Sequence, residues 1–351
     1  MFCKNLRFYR LKNAMTKKEL AEKSELTPMA ITHYENGTRT PNMEVLKRLA
    51  DALGVRVSDF LEVRNENLVF VHGEFRKTST LPVAKQEYVR ESVEEYFSRF
   101  YTVVELLGGE VLPDAPECHA LSMSGDRERD ARAMRRHLGI AEEGPVNDLI
   151  TILENKGILV YLCQIDSSKF SGMNGVVNDR PYNDRPYIMI NSSMSPERIR
   201  STIAHELAHL VFDWSEEMGE KEVEETATAI AGAFLFSEAD AVRELGIRRK
   251  RVTNDMSLVC REYGISMFLL VKRAQLVKII SADAAKNFYV AASARGWRTN
   301  EPSRIEPEKP SLFEQLVFRA VSEGEISIQR GAELLKMPYQ EVVSHCCFDE
   351  G

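Results

Sequence analysis

No uninterrupted apolar stretch in the chain approaches the ~18 residues that a membrane helix needs. The start, MFCKNLRFYRLKNAMTKKEL, is too basic and too poor in apolar residues for a secretory signal. Neither a membrane partner nor export is expected, and a cytoplasmic protein is. The six cysteines, Cys3, Cys118, Cys163, Cys260, Cys346 and Cys347, include no CxxC pair, which excludes a Cys-rich zinc knuckle and a disulfide framework. With 19 Gly, 13 Pro and 28% charged residues among 351, the chain is neither fibrous nor wholly disordered. What remains is length for two or three domains and at least one sizeable core.

The net charge of -7 is unevenly spread. Residues 1–62 hold 11 Lys/Arg against 8 Asp/Glu, a local +3 in an otherwise acidic chain. A basic head on an acidic body suggests that the head alone meets a polyanion.

Residues 4–62 read as five short helices. Thr16 with Glu19 three residues on is a capping box opening TKKELAEKS, and Thr27-Pro28 opens PMAITHYE. Asn36-Gly37 ends that helix, MEVLKRLADALGV is the fourth, and VSDFLEV closes the unit. Residues 63–80 read as a short strand or linker, followed by a long amphipathic helix from Pro82 to about Leu107. ILVYLC and YIMIN read as β runs. Between them the pentapeptide NDRPY occurs twice in tandem, which the sequence places in an exposed hairpin loop. Further helices follow, with a Pro-rich linker at 301–310 before a last helical pair. The fold class is α+β and mostly helical, with one small sheet.

The strongest chemical signal is His205-Glu206-Leu207-Ala208-His209. Histidines at i and i+4 share a helix face, so both imidazoles reach one zinc ion at ~2.0–2.1 Å. Glu206 is placed to take a proton from an attacking water as catalytic base. A catalytic zinc takes a third protein ligand, for which Glu222, Glu224 and Glu225 compete. Glu224 is preferred because it shares a face with Ala227, Thr228, Ala231 and Leu235; Glu225, with Thr228, Ala229 and Gly232, is the near alternative. Thr228 could support a ligand histidine. Tyr182, Tyr187 and His137 are candidate oxyanion donors, but each is of a kind that more often packs or lies at the surface, and none is assigned to the site.

In the basic head, TKKELAEKS and TPMAITHYENG have helix-turn-helix spacing. Lys17 and Lys18 are expected near DNA phosphate, as is Arg39. Thr27, Met29, Ala30, Thr32 and His33 face a groove while Ile31 and Tyr34 face the core. The second helix lacks the Arg, Asn or Gln that commonly read bases, so a bundle for dimerisation or protein binding is the competing reading.

Through TKKELAEKSELTPMAITHYENGTRTPNMEVLKRLADALGV, residues 4–62 resemble the XRE/Cro-type helix-turn-helix family. Residues of about 120 to 238 resemble the ImmA/IrrE metallopeptidases through FSGMNG, PYIMINSS, RIRSTIAHELAHLVF and EETATAIAGAFLFS. The resemblance implies a zincin-type core with His205, His209 and an ExxA glutamate as zinc ligands and Glu206 as base. ExxA matches Glu224 to Ala227. Thr228, Ile230 and Ser237 depart from the family pattern.

Four regions follow: a helix-turn-helix domain at 1–64, a linker and long helix at 65–118, a zincin domain at 119–240 and a helical region at 241–351. Relatives of this kind cleave helix-turn-helix repressors. The expected function is a zinc endopeptidase fused to a DNA-binding head, a regulator whose protein substrate is a partner repressor or antitoxin, lying as an added strand along YIMIN. A homodimer is expected of such heads. The alternative is a DNA-binding repressor or antitoxin whose zincin domain is a non-catalytic sensor or dimerisation scaffold.

Overall fold

Thr16 opens the second helix as the capping box predicts. Its hydroxyl accepts the Glu19 amide, and the Glu19 carboxylate accepts the Thr16 amide at 2.7 Å. The computed structural model describes residues 1–62, 64–73, 81–179, 182–298, 301 and 304–346, with backbone only at Asp179, Tyr182 and Asn183.

In chain order the elements are α1 (Phe2–Lys12), α2 (Lys17–Lys23), α3 (Pro28–Glu35), α4 (Met43–Leu53), α5 (Val57–Phe60), β1 (Leu68–His72) and α6 (Val83–Leu106). There follow β2 (Leu121–Ser122), α7 (Arg127–His137), α8 (Leu149–Asn155), β3 (Leu159–Cys163), β4 (Gly172–Asp179), β5 (Tyr182–Asn191), α9 (Pro196–Val211), β6 (Phe212–Asp213) and α10 (Glu220–Leu235). The last are α11 (Glu238–Leu245), α12 (Met256–Tyr263), α13 (Met267–Leu276), α14 (Ala282–Ala294), α15 (Leu312–Ser322), α16 (Ile328–Leu335) and α17 (Tyr339–Cys346). None of the described helices is long and apolar enough to cross a membrane.

The chain packs into two units. The first holds residues 1–70, 74–111 and 313–351; the second holds 71–73 and 112–312. The expected region 241–351 is thus shared between them.

In the first unit, Leu6, Leu20, Ile31, Leu49 and Phe60 are fully buried and form the centre of the α1–α5 core. Thr27 caps α3 and Asn42 caps α4, and Gly54 in the left-handed region ends α4. On α6, burial alone would raise the Glu95 carboxyl. Arg99, at 2.8 Å, and Lys336 outweigh that and hold it at about 2. A carboxylate depressed below its unfolded value stabilises the fold above that value and loses the stabilisation as pH falls through the folded one. Acid titration followed by circular dichroism should therefore show a loss of about 3 kcal/mol in this unit between pH ~4.5 and ~2. Lys336→Met should shrink it.

The second unit is built on a sheet in which β4 lies between the end of β1, Val71 and His72, and β5, and β3 follows β5; β4 and β5 are antiparallel, β5 and β3 parallel. Ile188 and Ile190 of β5 join Ile203, Leu207 and Phe234 in one core under α9 and α10. Two expectations are corrected here. NDRPY does lie in a hairpin, but as strand rather than loop: the first copy has Asn178-Asp179 at the end of β4 and Tyr182 at the start of β5, the second copy lies within β5, and Tyr187 is fully buried. Arg180 and Pro181 lie outside the described residues. YIMIN, in turn, cannot receive a substrate strand, because β5 is hydrogen-bonded on both sides and has no free edge.

Candidate metal centre

Ser195 caps α9, its hydroxyl accepting the Arg198 amide, and Pro196 takes the first helical position. Ile203, Ala204, Leu207, Ala208 and Leu210 are buried, which turns one face of α9 into the core. The phase of that face decides where the histidines go. His205 and His209 come out together, their Nε2 atoms 3.1 Å apart. Small residues on α10, Ala227 and Ala231, are buried in the same core, where α10 packs on α9.

Of the three competing glutamates, Glu224 faces the histidine pair. Its Oε2 lies 3.2 Å from His205 Nε2 and its Oε1 3.5 Å from His209 Nε2. Glu225 instead points to solvent and pairs with Lys221. The donors of His205, His209 and Glu224 all lie within 4.8 Å of one another. Ligands at ~2.0–2.1 Å in a tetrahedron are separated by about 3.3 Å, and the three measured separations bracket that value. The donor set therefore fits a divalent metal, whose positive charge would also favour the two neutral imidazole nitrogens and the carboxylate held this close together.

The surroundings orient these groups. Thr228 Oγ1 lies 3.3 Å from His205 Nδ1, within reach to accept from that nitrogen in the tautomer that leaves the Nε2 lone pair for a metal. Glu206 is buried and does not join the three donors; Asn174 Nδ2 on β4 donates to its Oε2 at 2.8 Å. The Trp214 ring covers His209 at 5.3 Å between centroids. Of the two candidate tyrosines, Tyr187 is turned to His72, its hydroxyl 2.6 Å from Nδ1.

In the head, the six chosen residues divide. Met29, His33 and Arg39 are exposed on and after α3. Thr27 is exposed, but its hydroxyl accepts the Ala30 amide as a cap, and Thr32 donates to the Pro28 carbonyl at 3.0 Å. The Lys17 ammonium lies 3.6 Å from Glu35, a carboxylate that the buried Arg10 also grips.

The helix-turn-helix family matches residues 6–60, and the IrrE N-terminal-like domain of the M78 peptidases matches residues 153–275. The chain joins an XRE-type helix-turn-helix to an IrrE-like peptidase domain. Among curated proteins and solved structures, nothing matches it.

In the second unit, three contributors escaped the sequence reading. Asn174 lies in FSGMNG, whose glycines read as loop rather than strand. Trp214 follows α9 with no spacing signal. Arg135 belongs to RERDARAMRRH, which reads as a charged helix, yet it is 1% exposed. Its guanidinium donates to the Phe234 carbonyl at the end of α10 and to the carbonyls of Ala141 and Gly144. Arg273 reaches the next free carbonyl, Phe236, at 2.8 Å. Two cations thus close the C-terminal end of the helix that carries Glu224.

Proposed function

We propose that the chain is a cytoplasmic zinc-dependent endopeptidase whose helix-turn-helix head binds DNA, a transcriptional regulator that cleaves a partner repressor or antitoxin. One observation carries the reading: two imidazole nitrogens and the Glu224 carboxylate converge on a common point, with Glu206, buried on the same helix, outside the ligand set. His205, His209 and Glu224 hold the metal. When bound, zinc lowers the pKa of water toward ~7 and polarises the scissile carbonyl. Glu206 accepts the proton of the attacking water and returns it to the leaving amine. Asn174 restrains the Glu206 carboxylate, and Thr228 keeps His205 in the ligand tautomer.

Metal analysis of the purified protein tests the site. Wild type is expected to carry about one zinc per chain and His205→Ala almost none, since losing one of three protein ligands removes the closed donor set. Equal zinc in the two would defeat it. The head is tested by the salt dependence of binding to duplex DNA. Arg39→Ala should lower the log–log slope by about 1, the signature of one lost phosphate contact. An unchanged slope would move Arg39 off the interface.

A further inference from the structure

The geometry points to Val71–Gly73 as an internal occupant of the edge on which a substrate strand would pair, so that a substrate must displace the chain's own segment before cleavage. The identity of the displacing strand rests on the peptidase reading above. The occupancy itself rests on the structure.

Asn174 is the pivot. Its side chain donates to Glu206, and its backbone carbonyl accepts the Gly73 amide at 2.8 Å. A peptide group docked on that carbonyl is therefore one residue away from the proposed base. With β5 closed on both sides, the outer edge of β4 is the edge nearest Glu206, and Gly73 holds its acceptor.

Two glycines make room for this docking. A Cβ on Gly73 would lie 2.7 Å from the Asn174 carbonyl oxygen. A Cβ on Gly175 would strike the Tyr187 hydroxyl and lie 2.5 Å from the Val71 carbonyl oxygen. Tyr187 then bonds His72 across the gap that Gly175 leaves. The hold is backbone and polar in character: Val71 remains 64% exposed and His72 and Gly73 are only partly buried. A segment that buries so little apolar surface is displaceable by an extended strand that places side chains better. The tether nonetheless gives it an effective concentration of roughly millimolar, enough to suppress weak binders. The displacing strand needs glycine, or an equally close backbone, opposite Asn174.

The experiment titrates a labelled, C-terminally amidated peptide of residues 66–73 into the full chain carrying Glu206→Gln, with and without Gly73→Pro. Proline removes the amide that binds Asn174. The peptide should bind the Gly73→Pro chain about tenfold more tightly, the equivalent of one backbone hydrogen bond lost by the competitor. Amide exchange over residues 172–176 should rise in that chain and fall again when the peptide is added. His72→Phe, which keeps the Gly73 bond, should give a smaller gain. Should Gly73→Pro fail to fold by circular dichroism, Gly73→Ala gives the same reading through its clash with Asn174. Equal affinity for both chains, binding to neither, or protection elsewhere than 172–176 overturns the inference. Because nothing is hydrolysed, the result is independent of whether the domain is an active peptidase.

Discussion

Co-expressed with the product of each neighbouring gene, the wild-type chain should release a fragment of one of them, and that fragment should vanish with Glu206→Ala. A general base contributes about 10²–10⁴ to the rate, so the residual product falls below detection in a cell-scale assay. Zinc content should stay at the wild-type level, because Glu206 lies outside the three donors that converge. This pairing of lost turnover with retained metal separates chemistry from folding. A promoter readout adds the second discrimination. If Glu206→Ala regulates its promoter as the wild type does, hydrolysis is dispensable, and the domain is a sensor or scaffold attached to a DNA-binding protein.

Arg135→Met should strongly destabilise the second unit. The guanidinium donates to three carbonyls, Phe234, Ala141 and Gly144, from a position that is 1% exposed. Methionine fills the space but donates nothing, leaving buried acceptors unpaired. The expected cost is about 4 kcal/mol, seen as a fall of about 10 °C in Tm. Arg135→Lys should recover little, since one ammonium cannot reproduce a fork that reaches three acceptors. Zinc affinity should weaken alongside, because Glu224 rides on the helix whose end is released. A melting temperature within a few degrees of wild type would show that water can serve these carbonyls.

What was legible in the sequence was local. The i, i+4 histidines need only one helix, and the Thr16–Glu19 capping box needs only four residues; both elements form where the pattern puts them. Glu224 and Glu225 lie one residue apart, a step of 100° around a helix, so choosing between them required the packing phase of α10 on α9. Asn174 was out of reach for another reason. Its partner Glu206 is 32 residues away, and the glycines that let β4 be approached closely are the residues that disguise it as a loop. Arg135 misleads in the same way: a helix reading RERDARAMRRH gives no hint that one of its arginines turns inward to a carbonyl 99 residues on. The duplicated NDRPY was legible as a hairpin, because tandem repetition signals tolerance to insertion, but not as paired strand, because its Asn, Asp and Pro read as loop.

That hairpin has a consequence for the ancestry of the chain. Val177 is paired with Arg185, and every pair on the side of Asn174 lies inward of it. Excising residues 178–182 would join Val177 to Asn183 and leave only Asn183-Asp184 to span the gap, a two-residue reversal of the length hairpins favour most. The single-copy chain would thus close without disturbing Asn174 opposite Ile188. Copying slippage at this spot changes the reach of a fingertip and leaves the palm untouched.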